Sequence, residues 1–163
     1  MEFYYGNTQN GNNNPYCQDN DSNYVNWNDL KKNRDIYEFT RFMINFRKEH
    51  KILHMDSELR MMDYLSKGCP DLSIHGIEPW RPDFNYVSRC FGMLYNEAYD
   101  DKKGKIYIMF NMYWESQEFN IPASERKMKW KLEFSTSDET NVESVVGRVF
   151  NMAPRSIAVL REV

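Results

Sequence analysis

No apolar run in the chain approaches the roughly 20 residues that a membrane-spanning helix needs, and the N-terminal MEFYYGNTQN lacks the basic-then-apolar order of a secretory leader. Neither a spanning helix nor a processed leader is expected, and the chain reads as soluble. Basic blocks are missing too. The 21 basic and 24 acidic residues leave a formal net charge of −3, with no lysine or arginine cluster long enough to track a phosphate backbone. Nucleic acid is therefore not an expected partner. Cysteine is scarce: Cys17, Cys69 and Cys90 are odd in number and widely spaced, which rules out a fully paired disulfide framework and fits a reducing, cytoplasmic compartment. There is no internal repeat and no CxxC pair. At 163 residues the chain is also too short for a complete (β/α)8 barrel, which takes about 250. What the sequence does have is apolar and aromatic mass, 41% and 15% of its residues, enough for a genuine core in one domain or in one domain plus a fragment of another.

Composition divides the chain into three zones. Residues 6–29 carry nine asparagines with Gly6, Gly11 and Pro15 and show no apolar period, so an irregular loop is expected there. A loop of that length inside a compact domain is usually functional or disordered. From residue 35 to about 53 the pattern is helical. Ile36, Phe39, Phe42, Met43, Phe46 and Leu53 fall on one stripe, Glu38, Arg41, Asn45, Lys48 and Glu49 lie mostly opposite, and Asp35 with Glu38 forms the aspartate version of a capping box. Residues 55–68 read as a short helix or an irregular connector. From residue 71 the pattern is that of strands, at 71–75, 88–96, 105–113, 118–121, 127–135, 145–152 and 156–161. Met128, Trp130, Leu132 and Phe134 alternate with Lys129, Lys131 and Glu133, as in a strand with one wet face. KIYIMFNMYW is apolar on both faces and suits a central strand, folded back on MLYNEAY by the turn DDKKG.

Three groups of residues invite a chemical reading. Thr8 to Asn20 crowds amides, hydroxyls and an aspartate among turn formers. Amides and carboxylates suit sugar hydroxyls, and Tyr4, Tyr5 and Tyr16 offer ring faces; asparagines also simply satisfy turns and left-handed positions, and composition alone favours that structural reading. His50 and His54 stand four apart, a spacing that puts two imidazoles on one helix face, with Cys69 or His75 as a third ligand, but without CxxC support structural roles are favoured and no metal is expected. The pairs Asp19/Asp21, Asp100/Asp101 and Asp138/Glu139 read as solvated loop pairs rather than catalytic dyads. The methionines and the Tyr113–Trp114 pair read as core filling, and Trp80, between Pro79 and Arg81, as an exposed contact.

GNTQNGNNNPYCQDN followed by Trp27 resembles the segment after the last barrel strand of glycogen debranching enzymes, isoamylases and related pullulanases of the alpha-amylase superfamily. FTRFMINFRKEH is similar to that family's final barrel helix, IHGIEPWRPDFNYVSR to its histidine-glycine to proline-aspartate stretch, FNMYWESQEFNIP to its asparagine strand and following hairpin, and PRSIAVL to the closing strand of its C-terminal sandwich. The resemblance runs over nearly the whole chain. It implies a mainly β fold, an antiparallel β-sandwich of about six to eight strands over residues 55–163, preceded by a barrel tail of one loop and one long amphipathic helix over residues 1–54.

The resemblance also implies a function and an absence. Family members cleave α-1,6 or related α-glucosidic linkages by retention, with an aspartate nucleophile, a glutamate acid/base and a second aspartate, none of whose motifs is found here. Glu2 and Phe3 look like the end of the eighth strand, with Met1 standing where upstream chain is expected. Because retention needs two carboxyl groups about 5–5.5 Å apart across the sugar, the chain by itself is expected to be inactive. Asn12, Asn13, Asn14, Tyr16, Gln18 and Asp19 are expected at or near the glucan cleft of a full-length parent, with the α-glucan as partner and no cofactor. Pro15, where alanine is common, and Asp21-Ser22-Asn23, where a Glu-Ile/Leu sequence is usual, depart from the pattern and leave the substrate preference open. Ile36, Phe39, Met43 and Phe46 are expected to fold back on the sandwich or to pair with a second copy. The alternative reading is a free-standing α-glucan-binding β-sandwich module.

Overall fold

The computed structural model describes residues 6, 8–14, 16–125, 128–137 and 145–163. Tyr4, Tyr5, Glu2, Phe3, Pro15 and the Asp138/Glu139 pair lie outside them, as does the first residue of the expected 127–135 strand. The chain forms two compact units, residues 1–50 and 51–163.

In the first unit the asparagine-rich loop gives way to a helix earlier than its composition suggests. Helix α1 spans Trp27–Lys32, and Asn26 caps it by accepting the Asn28 N–H on its side chain. Helix α2 spans Arg34–Glu49. The capping-box expectation does not hold: Asn33 is the cap, Asp35 lies inside the first turn, and Glu38 is placed to meet Arg34 and Arg41 instead, at 3.6 and 3.7 Å. Nor does the helix reach Leu53. It stops at Glu49, His50 closes it with an N–H to Phe46 O, and Leu53 belongs to a separate 3₁₀ turn at Lys51–His54. Asp100 Oδ2 receives the Ile52 N–H at 2.8 Å at the start of that turn.

The second unit is an antiparallel two-layer structure. Strands β1 (Leu72–His75), β2 (Cys90–Asn96), β3 (Lys105–Asn111), β5 (Trp130–Ser135), β6 (Val145–Val146) and β8 (Ser156–Glu162) form a six-stranded sheet in the order β1-β2-β3-β8-β5-β6. Strands β4 (Gln117–Asn120) and β7 (Val149–Met152) form a two-stranded second sheet. Phe119 of β4 and Met152 of β7 enter one core with Leu94, Tyr107, Met109, Trp130, Leu132 and Leu160 of the large sheet. This is the expected mainly β, two-sheet architecture.

The apolar pattern is read out strand by strand. Trp130, Leu132 and Phe134 are buried while Lys131, Glu133 and Ser135 are half-exposed, and the buried Trp130 indole donates to Pro122 O at 2.7 Å. β3, apolar on both faces, sits between β2 and β8. The 97–104 connection that folds it back on β2 contains a 3₁₀ turn, Glu97–Asp100, closed by a left-handed Asp101. One expected strand is divided: residues 145–152 become β6 and β7, which break at Gly147–Arg148 and pair with different sheets. Residues 55–68 are an irregular connector with left-handed Met61, Ser66 and Gly68. It is pinned where Asp63 accepts the Lys67 and Gly68 N–H groups and the Tyr99 hydroxyl.

Candidate functional site

The asparagine-rich loop is built largely from its own side chains. Asn12 Nδ2 donates to Gln18 Oε1 at 2.9 Å and to Asn23 Oδ1 at 3.3 Å, while Asn12 Oδ1 receives the Asn14 N–H. Gln18 Nε2 donates to Asn14 O, and Asn23 Nδ2 to Gln18 O. These short-range bonds let amide-rich sequence replace a ladder, and Asn10, Gly11 and Cys17 take the left-handed conformations that turn the chain. Asp19 Oδ1 accepts the Tyr24 hydroxyl at 2.5 Å, and this bond to the carboxylate, with some burial, raises the Tyr24 pKa. Of the six candidates, Asn12, Asn14 and Gln18 are thus brought together as the loop's scaffold, and Asp19 is tied to Tyr24. Asn13 is exposed, and Tyr16, 83% exposed, is turned to solvent.

The histidine pair does not form the face its spacing suggests. Because α2 ends at Glu49, His50 and His54 occupy different elements, and the His50 ring rests on Phe46 at 4.4 Å. His75 is fully buried with both ring nitrogens engaged: Trp80 N–H donates to Nδ1 at 2.9 Å, and Nε2 lies 2.8 Å from Ser73 Oγ. The Trp80 bond requires an unprotonated Nδ1 and so selects the neutral Nε2–H tautomer. Burial pushes the imidazole pKa down to about 4. Next to it, Gly76 donates to Arg81 O at 2.9 Å, and a Cβ there would lie 2.6 Å from that oxygen. The histidine-glycine step therefore clamps the 77–81 loop and sets out Trp80, whose ring packs 4.7 Å from His75 while half its surface stays exposed.

Asp100 and Asp101 serve the chain locally: Asp100 accepts the Ile52 and Lys102 N–H groups, and Asp101 is the left-handed cap of the Glu97–Asp100 turn. Among the described residues no group of three or more His, Cys, Asp or Glu could hold a metal ion.

A further constellation escapes composition and spacing. Asn111, at the end of β3 and fully buried, donates from Nδ2 to Glu115 O at 2.9 Å, Ala153 O at 2.9 Å and Met152 O at 3.3 Å. Its Oδ1 accepts the Tyr113 N–H at 3.0 Å and the Cys90 thiol at 3.3 Å, and burial pushes that thiol's pKa up. One side chain thus fixes the 112–116 turn, which carries an exposed Trp114 whose ring is tilted against Tyr113 at 4.0 Å. The Tyr113–Trp114 pair is therefore not core filling, because the turn faces outward. The signal that could have found it is a lone asparagine closing a continuous apolar run.

No family model matches the chain. It is 36% identical to isoamylase SU1 of Zea mays over 108 residues, 66% of this chain but 12% of the maize protein. It is 28% identical to the glycogen operon protein GlgX homolog of Mycobacterium bovis over 180 aligned positions, 96% of this chain and 24% of the relative. Among solved structures, pullulanase from Anoxybacillus sp. LM18-11, complexed with maltotetraose, shares the fold at a TM-score of 0.67 with 12% identity, over 97% of this chain and 20% of that one. The chain thus spans 12% and 24% of the lengths of these two curated relatives, and is similar to part of an isoamylase and part of a GlgX homolog.

Proposed function

We propose that this chain is the rear portion of a debranching-type α-glucan hydrolase acting on α-1,6-glucosidic linkages. Residues 1–54 are the last loop and helix of its catalytic barrel, and residues 55–163 are the sandwich that steadies it. The observation that carries this reading is the similarity over 96% of the chain to a much longer GlgX homolog, joined to a pullulanase-like fold. In such a parent, loop 6–29 follows a barrel strand at the face where barrel enzymes keep their active sites. Asn12, Asn13, Asn14, Tyr16, Gln18 and Asp19 then border the glucan, with Tyr16 offering its ring and Asn13 its amide, while Asn12, Asn14 and Gln18 hold the loop's shape.

Hydrolysis with retention needs a nucleophilic carboxylate and a protonated partner on opposite sides of one sugar. Asp19 accepts the Tyr24 hydroxyl and Asp100 two backbone amides, which supports reading both as local structural groups. The purified 163-residue chain is expected to release no reducing ends from glycogen, amylopectin or pullulan. Reproducible release by the pure chain, above that of a mock preparation, would overturn this reading.

A further inference from the structure

We infer that the sandwich unit carries an α-glucan contact of its own, in which the Trp114 ring and the cavity lined by Asp83, Arg89, Tyr113, Glu115 and Gln117 take a segment of α-1,4-linked glucan. The choice of sugar rests on the function proposed above; the existence of the site rests on the geometry that follows.

The first observation is a rigid turn with an unburied indole. Asn111 ties three carbonyls and one amide around residues 112–116, Met112 N donates to Arg89 O at 2.8 Å, and Arg155 N donates to Tyr113 O at 3.0 Å. The backbone of the turn is therefore fixed from several sides. Yet Trp114 at its centre is 63% exposed, with its ring inclined 30° to Tyr113 at 4.0 Å. Folding gains little from this side chain, and a fixed ring face is what the C–H face of a pyranose packs against, because little rotamer freedom is lost on contact.

The second observation is a cavity of about 410 Å³ lined by Tyr113 and Glu115, the chain neighbours of Trp114, a volume within the range of small-ligand sites. Its wall mixes the charged and amide residues Asp83, Arg89, Glu115 and Gln117 with Tyr113 and the apolar Ile77, Val87 and Cys90. Arg89 is held by Nη1 bonds to Tyr86 O at 2.9 Å and Ser88 O at 3.1 Å, and Asp83 Oδ1 is fixed by the Asn85 N–H at 3.0 Å. Adjacent hydroxyls of a sugar each present a donor and an acceptor, which such paired groups match. The same lining argues against other occupants. Protein-interface cores are depleted of charge, whereas Asp83, Arg89 and Glu115 all line this cavity, and its two carboxylates repel a phosphate backbone.

The test uses the 163-residue chain with ¹⁵N-labelled tryptophan, whose four indoles report separately, titrated with maltoheptaose and, in a second arm, cellohexaose. The expected result is a saturable shift of the Trp114 indole with maltoheptaose and none with cellohexaose. Trp114→Ala should weaken binding about tenfold and Trp114→Phe much less, since a ring face remains. Because Trp114 is exposed, neither variant threatens the fold, and an unchanged amide spectrum elsewhere verifies this. Equal response to cellohexaose, saturation only at Trp27 in the other unit, or no Trp114 shift at millimolar sugar would each sink the inference. None of these outcomes touches the inactivity predicted above, which fails only by release of reducing ends.

Discussion

His75 shows how a single side chain can look like a ligand in sequence and act as a clamp in the fold. Its neutral form accepts the Trp80 N–H, so protonating Nδ1 removes that bond and charges a buried ring. The folded pKa, about 4, lies below the ordinary 6.5. Between those values the unfolded chain takes up a proton that the folded chain refuses. Stability from this residue is complete above about pH 6.5 and is lost as pH falls towards 4, by on the order of 2–3 kcal/mol. Urea midpoints measured from pH 7 to 4.5 should fall more steeply for the native chain than for His75→Gln; identical slopes would contradict the assignment. Lys105 is the opposite case. Burial alone would lower its pKa, but hydrogen bonds and charge from Glu125, at 2.7 Å, and from the fully buried Glu162, at 3.1 Å, raise it. The protonated form therefore persists through neutral pH, and this contribution is lost only above the ordinary lysine range. Lys105→Ala strands the Glu162 carboxylate and is expected to cost about 3–5 kcal/mol, most of it recovered when Glu162→Leu is added to Lys105→Met. A double variant no more stable than Lys105→Ala would disprove it. None of this is legible in the sequence, where Lys105 is simply the polar first residue of an apolar strand.

Among the elements, β2 and β3 are locked at one point by a side chain. A Cβ on Gly92 would fall 2.3 Å from the Tyr107 hydroxyl and 2.5 Å from its Cζ, so the tyrosine fills the place of the missing side chain. Gly92→Ala is expected to cost about 2–3 kcal/mol by overpacking. Tyr107→Phe in the native background should be neutral or slightly stabilising, because that buried hydroxyl has no hydrogen-bond partner among the described residues. Denaturant midpoints check both, and a tolerated Gly92→Ala would show that the Tyr107 ring moves aside easily. Strand positions were largely legible because a period of two leaves a strong imprint, as Trp130 to Ser135 shows. The division of residues 145–152 was not, since a change of sheet at Gly147–Arg148 depends on which neighbours offer free edges. Helix α2 was legible in its stripe and not in its ends. Ile36, Phe39 and Phe42 remain exposed on it, and a face of that kind favours association. Light scattering at rising concentration should show growth in mass that Phe39→Glu with Phe42→Glu abolishes; a strict monomer at every concentration would refute this.

At the scale of the whole molecule, two compact units accompany similarity to a fraction of much longer relatives. No helix among the described residues is long and apolar enough to cross a membrane. By itself the sequence determined the kinship, the mainly β class and the loop's amide chemistry, because motif order, strand period and composition are local properties that survive without coordinates. Only the tertiary structure decided what the single polar residues do. Whether Asn111 would fix a turn, His75 clamp a loop or Trp114 face solvent depends on strands far apart in the chain meeting at one place. Burial and hydrogen-bond geometry, which arise only from that meeting, convert the same residue types into different roles.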